Sequence, residues 1–167
     1  IFKISFTLFL FLTFASFNNQ PTNEISDSSE WISLFDGKTF DGWHSYNGDE
    51  ISEKWSIENG VMVFDPKNPN VKNLTSSGNI VTDQEFTNFE LYLEWNVSEV
   101  GNSGLFWGVK EIEGLSQPYL TGAEIQILDN ERHPDAKNNP KFHQSGALYD
   151  MVQPESDVCN PAGQWNI

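Results

Sequence analysis

Glu124 and Gln126 stand two residues apart in the run Thr121-Gly122-Ala123-Glu124-Ile125-Gln126-Ile127-Leu128-Asp129-Asn130. In an extended strand alternate side chains share a face, so the carboxyl and the amide point one way, and Ile125 and Ile127 the other. The isoleucines read as a core face and the Glu/Gln pair as a polar floor. Asp129, Glu131, His133, Asp135 and His143 follow soon after. Acid–base groups therefore crowd one end of a strand, which is the equipment of general acid–base chemistry. The bland alternative is a solvent-facing strand followed by a solvated acidic loop. The three acids lack the spacing of a twelve-residue calcium loop.

The elements that must hold these groups read as strands. Trp31 to Phe35 is a short apolar run stopped by Asp36-Gly37. Trp55–Glu58 and Val61–Phe64 flank Asn59-Gly60, which accepts the positive φ angles of a tight type I′ hairpin turn. Residues 65–79 carry Pro66, Pro69 and several Asn and read as a loop. From Phe89 to Val97, Phe89, Leu91, Leu93, Trp95 and Val97 alternate with polar residues and Tyr92. A helix would scatter those five around its axis; a strand puts them on one face. Gly101-Asn102-Ser103-Gly104 reads as a turn, Leu105 to Val109 as a strand buried on both faces, and Ala123–Leu128 and Ala147–Val152 as further strands. No amphipathic helix of three turns is present. Short strands separated by turn residues predict an all-β antiparallel sandwich. Trp43, Trp55 and Trp95 read as packing residues, and Asp36-Gly37 and Asp41-Gly42 as turn chemistry.

The length of 167 residues suits one domain, and a formal charge of −15 repels phosphate backbones, so nucleic acid is excluded as a natural partner. Lys3 precedes an apolar run from Ile4 to Phe17 that is too short for a stable membrane span and has the form of a secretory h-region. Thr13 and Ala15 offer a cleavage site. The expected organisation is a signal peptide over residues 1–20, truncated at its start, a linker over 21–30 that overlaps the polar stretch 18–29, and a domain over 31–167. Export to the periplasm or the cell exterior follows from that reading. No Cys follows the h-region to carry a lipid. Cys159 is the only cysteine, so an intrachain disulfide is impossible.

The order of motifs is more specific than any one of them. Leu34-Phe35-Asp36-Gly37-Lys38 is followed by Asp41-Gly42-Trp43, then Trp55 with Glu58-Asn59-Gly60, then Phe89-Glu90-Leu91 with Glu94-Trp95. Gly101 to Phe106, Thr121 to Asn130, Gly146 with Leu148-Tyr149-Asp150, and Pro161 to Asn166 complete the series. This series resembles the 3-keto-disaccharide hydrolase domain family across residues 31–167. The resemblance implies a concanavalin A-like jelly roll with a carbohydrate site on a concave sheet, and further strands after Asn166. Many relatives have a basic residue near Gly108, where this chain has Phe106-Trp107-Gly108. The Asp129–Asp135 loop and His143 match a subset of the family.

The implied substrate is a sugar oxidised at C3. Its ketone acidifies the C2 proton; a base removes that proton, the C1 glycosidic oxygen leaves, and water adds back. The reaction needs a base, a group that stabilises the enolate, and an acid for the leaving group. Glu124 is the candidate base or acid, His143 its proton-transfer partner, and Asp129 the third catalytic candidate. Gln126 and Asn102 are candidate donors to substrate oxygens, Trp107 and Tyr149 candidate platforms for a sugar face, and His133 a further binding candidate. A divalent metal ion on Asp129, Glu131 or Asp135, with His133 or His143, is the alternative enolate stabiliser. Two other functions compete. One is a non-catalytic lectin-like module. The other is an ordinary retaining glycosidase, which needs two carboxylates about 5 to 5.5 Å apart; Gln126 denies Glu124 an acidic partner on its own strand.

Overall fold

Strands dominate the computed structural model, which describes residues 2–9 and 31–167 apart from 69–70, 72–77 and 158. The strands are β1 (Phe2–Phe9), β2 (Trp31–Ser33), β3 (Trp43–Ser45), β4 (Trp55–Glu58), β5 (Val61–Phe64), β6 (Ile80–Thr82), β7 (Glu90–Val97), β8 (Asn102–Trp107) and β9 (Ala123–Leu128). One turn of 3-10 helix, Pro118–Leu120, precedes β9, and one turn of α-helix, α1 (Asp135–Asn138), follows it. Every strand pairing is antiparallel. The all-β antiparallel sandwich of jelly-roll type read from the sequence is the architecture found.

The largest sheet has five strands. Within it β4 and β5 form the hairpin expected at Asn59-Gly60, with Glu58 opposite Val61. Asn59 and Gly60 both take positive φ, at 53° and 78°, as that turn requires. β7 keeps the expected alternation: Trp95 and Val97 are buried, Leu91 and Leu93 half-buried, and Glu90 and Tyr92 exposed. β1 pairs with β7 along all eight residues, and on its other side with β5 and β2. Residues 2–9, which include the start of the segment with signal-peptide form, are thus also a strand of the sheet, since an extended run of apolar and β-branched residues suits a central strand. The cleavage position after Ala15 and the linker lie outside the described residues.

The second layer holds β8 paired with β9, while β3 pairs with β6. The core lies between the layers. Met62 from β5, Trp95 and Val97 from β7 and Ile127 from β9 form its buried centre, flanked by Leu34, Phe35, Trp43, Trp55 and Leu105 among others. Trp43 and Trp55 bury their rings while their indole N–H groups donate to the carbonyls of Leu34 and Gly78, at 2.6 and 2.7 Å. Such satisfied indoles are packing residues.

Three local expectations change. Asn102–Gly104 is strand, not turn, because pairing with Gln126–Leu128 supplies its backbone partners. β8 ends at Trp107, two residues before the predicted end. Ala147–Val152 is not a regular strand: Leu148 bridges to Ile125 and again to Val152, so the segment touches the edge of β9 and turns back. β3 and β6 were not anticipated; three residues are too few to show a period.

Candidate active site

The site is assembled on β9 and on the segment that returns along its edge. Gly146 N–H donates to the Gln126 carbonyl, Gln126 N–H to the Ala147 carbonyl and Tyr149 N–H to the Glu124 carbonyl, all at 2.9 Å. This pairing brings Tyr149 beside Glu124. Asp150 takes a left-handed backbone, φ 58°, where the segment reverses. His143 N–H bonds to the Asn139 carbonyl and Asp150 N–H to that of Phe142, which folds the loop after α1 onto the same place.

His143 joins the parts. Its Nδ1 lies 3.0 Å from Asp135 Oδ1 and its Nε2 2.7 Å from Asp150 Oδ1. An imidazole making both bonds to ionised carboxylates carries both protons. Burial works against that charge, but the bonds to Asp150 and Asp135 outweigh it and hold the His143 pKa above its usual value. The Tyr149 hydroxyl donates to Asp135 Oδ2 at 3.0 Å, and its ring stacks on His143 with centroids 4.3 Å apart and planes 17° from parallel. Burial, then the bond to Asp135, push the Tyr149 pKa to about 12, so it stays a phenol.

Glu124 differs from its neighbours. Among the described residues none donates a hydrogen bond to its carboxylate, and it forms no salt bridge. Burial first, and the negative charge of Asp135 second, raise its pKa from 4.5 to about 7. A carboxyl poised there exchanges a proton readily at neutral pH.

The other sequence candidates separate. Gln126 is buried, 2% exposed, and its side-chain oxygen accepts from Ile127 N–H at 2.9 Å. The wet Glu/Gln floor is corrected to a half-buried Glu beside a buried Gln whose side-chain oxygen is taken by backbone. Asp129 is buried as well. Its oxygens accept from the backbone N–H groups of Val100, Glu131 and Arg132, which overcome desolvation and lower its pKa. It braces the turn after β9 and makes no contact with the Glu124 cluster. Glu131 pairs with Arg132 at 3.0 Å. His133 Nδ1 accepts from Asp135 N–H at 3.2 Å, a loop contact. Asp129 and Glu131 thus share Arg132 in the turn after β9 while Asp135 holds His143 and Tyr149, and among the described residues no three His, Cys, Asp or Glu side chains are grouped to hold a metal ion.

The β8–β9 register sorts the rest. Phe106 pairs with Glu124, Gly104 with Gln126, and Asn102 with Leu128, so these six share one face. Asn102 is exposed there, about 13 Å along the strand from Phe106 at the usual rise. Trp107 pairs with Ala123 and belongs to the opposite face, so the half-buried Phe106 is the aromatic directly across from Glu124. Sequence reading also missed Asp135 and Asp150 as partners of His143. The Leu148-Tyr149-Asp150 motif close after the histidine was the available signal.

Residues 30–167 match the 3-keto-alpha-glucoside-1,2-lyase-like domain. The chain belongs to that family. It is 38% identical over 149 residues to a 3-keto-disaccharide hydrolase of Bacteroides thetaiotaomicron, covering 84% of this chain and 51% of the relative. The chain therefore spans about half the length of that curated relative. A crystal structure of a provisionally named glycosyl hydrolase from Parabacteroides distasonis superposes with a TM-score of 0.68 at 28% identity, covering 87% of this chain and 64% of that one. Among the described residues no helix is long and apolar enough to cross a membrane.

Proposed function

We propose that this domain cleaves 3-keto-glycosides by proton abstraction at C2, with Glu124 as the base. The observation that carries the reading is a half-buried carboxyl, unpartnered among the described residues, with its pKa raised to about 7 and within the field of Asp135 and Tyr149, two residues that hold His143. Glu124 takes the C2 proton. The electron pair moves into the ketone as an enolate and then expels the C1 glycosidic oxygen, forming a C1–C2 double bond. The leaving oxygen takes the proton that Glu124 now holds, and water adds across the C1–C2 double bond, its hydroxyl to C1 and its proton to C2, to return a free 3-keto sugar. The positive charge of His143 stabilises the enolate oxygen. Asp150 is exposed, so a substrate oxygen can replace it at Nε2. The ring of Phe106 offers apolar area to a sugar face.

A retaining glycosidase needs a second free carboxylate. Asp135 is the one whose charge reaches Glu124, but its oxygens are taken by His143 and Tyr149. That favours elimination over direct displacement. Export, with removal of residues 1–20, remains part of the proposal; it would free the β7 edge that β1 occupies. N-terminal sequencing of the secreted protein tests it.

The deciding experiment incubates the full-length protein with a plain disaccharide and with its 3-keto derivative, in deuterated water. Turnover of the keto sugar alone, with deuterium at C2 of the product, is expected. Cleavage of the plain disaccharide supports the glycosidase reading; binding of either without turnover supports a lectin-like module.

A further inference from the structure

Glu124 lies in a space that the neighbouring strand leaves for it. Gly104, in the middle of β8, pairs with Gln126, two register pairs along from Phe106 and Glu124 and on the same face. A Cβ on Gly104 would strike Oε1, Cδ and Cγ of Glu124. The Glu124 side chain therefore leans diagonally across the sheet and rests on the bare backbone of β8. Gly104 is not among the positive-φ glycines, so its backbone conformation does not require glycine. Strand propensity would favour almost any other residue at this position.

We propose that Gly104 is the positioning residue for the catalytic carboxyl: its missing side chain lets Glu124 lie in against β8 instead of swinging out to water. The inference rests on the reading of Glu124 as the base. It accounts for a carboxyl that is desolvated although it sits on an ordinary two-stranded ladder: the shelter comes from the adjacent strand. The raised pKa of Glu124, caused first by burial, agrees with this placement. The three atoms nearest to a methyl group at position 104 all belong to the flexible side chain of Glu124, so the cost falls first on the position of Glu124.

The test is Gly104→Ala in the full-length protein, read by 13C NMR titration of the Glu124 carboxyl and by the pH dependence of kcat/KM. The expected result is a carboxyl titrating at least one pH unit lower, an acid limb displaced equally, and kcat reduced at least tenfold, with the melting temperature retained. In a Glu124→Ala background, which lacks all three atoms that the methyl group would strike, Gly104→Ala should lower the residual kcat by less than threefold. An unchanged titration in folded Gly104→Ala protein overturns the inference whatever the activity shows, as does an equal loss in both backgrounds. A shifted titration combined with full turnover by Glu124→Gln supports the positioning of Glu124 by Gly104 and overturns its assignment as the base.

Discussion

His143 and His44 are each held between two carboxylates at nearly the same distances, but only His143 shares one of its carboxylates, Asp135, with an acid of strongly raised pKa, Glu124. His44 on β3 has Nδ1 2.6 Å from Asp83 and Nε2 2.8 Å from Glu111. Those bonds outweigh desolvation and hold its pKa above the usual value. Glu111 is taken up further: its second oxygen accepts from Asn47 N–H at 2.5 Å, and the Asn47 side chain donates to the carbonyls of Ile112 and Leu115. The bonds from His44 and Asn47 lower the Glu111 pKa against desolvation. Each of these groups is hydrogen-bonded, and the result is a clamp between β3 and the loop before β9. The His143 unit is just as well bonded, but Glu124 beside it is desolvated, close to the charge of Asp135, and bonded to nothing among the described residues. Paired charges fix loops. The uncompensated carboxyl is the group whose environment favours giving and taking a proton.

The comparison breaks first at Glu124. Glu124→Gln keeps shape and removes the ionisable group, so turnover of a 3-keto-glycoside should fall by roughly a hundredfold or more, the usual contribution of a general base. Substrate affinity and melting temperature should hold. Steady-state kinetics at saturating substrate decide it, and wild-type turnover would remove Glu124 as the base.

Asp135→Asn should have the next largest effect. It withdraws the charge that raises Glu124 and one of the two carboxylates that keep His143 charged. Turnover should fall by less than the roughly hundredfold expected of the base itself, and the acid limb of the rate profile should move to lower pH. A loss without movement of that limb would mean that Asp135 only holds the loop.

A third difference appears in stability against pH. Folding raises the Glu124 pKa from 4.5 to about 7, so in that window the native state holds a proton that the unfolded chain has released. Stability should therefore fall as pH rises from about 4.5 to about 7, and Glu124→Gln should remove that contribution. His44 has the same direction of shift but gains its proton in favourable bonds. Its contribution is complete below 6.5 and is lost as pH rises through its folded-state value. Denaturant titrations of both variants at pH 5 and pH 9 separate the two behaviours.

The smallest effect is expected for His44→Gln. Partly exposed ion pairs contribute at most about 1 kcal/mol each, so stability at pH 6 should drop by roughly that amount, or about 3 °C in Tm. Turnover should stay within about twofold, since the clamp carries no proton for the reaction. A larger kinetic loss would show that the loop before β9 matters to the position of Glu124.

The sequence by itself determined the features set by near neighbours along the chain. The Asn59-Gly60 hairpin, the alternation of β7 and the burial of Ile127 follow from φ preferences and from a period of two, which every strand carries in its own residues. Glu124 was legible for the same reason: it is the ionisable group on a strand whose other face is core. Tertiary structure alone decided what surrounds it. Whether Phe106 or Trp107 faces Glu124 depends on a one-residue choice of register between β8 and β9. Register is fixed by burial summed over non-local contacts, and no local residue pattern announces it. The same holds for Gly104, which read as a turn glycine until its neighbour across the ladder was known, and for Asp129, whose partners are backbone N–H groups that only the closed fold presents. His143 was visible as a residue, but its pairing with Asp135 and Asp150 exists only because residues 139–152 double back along the edge of β9.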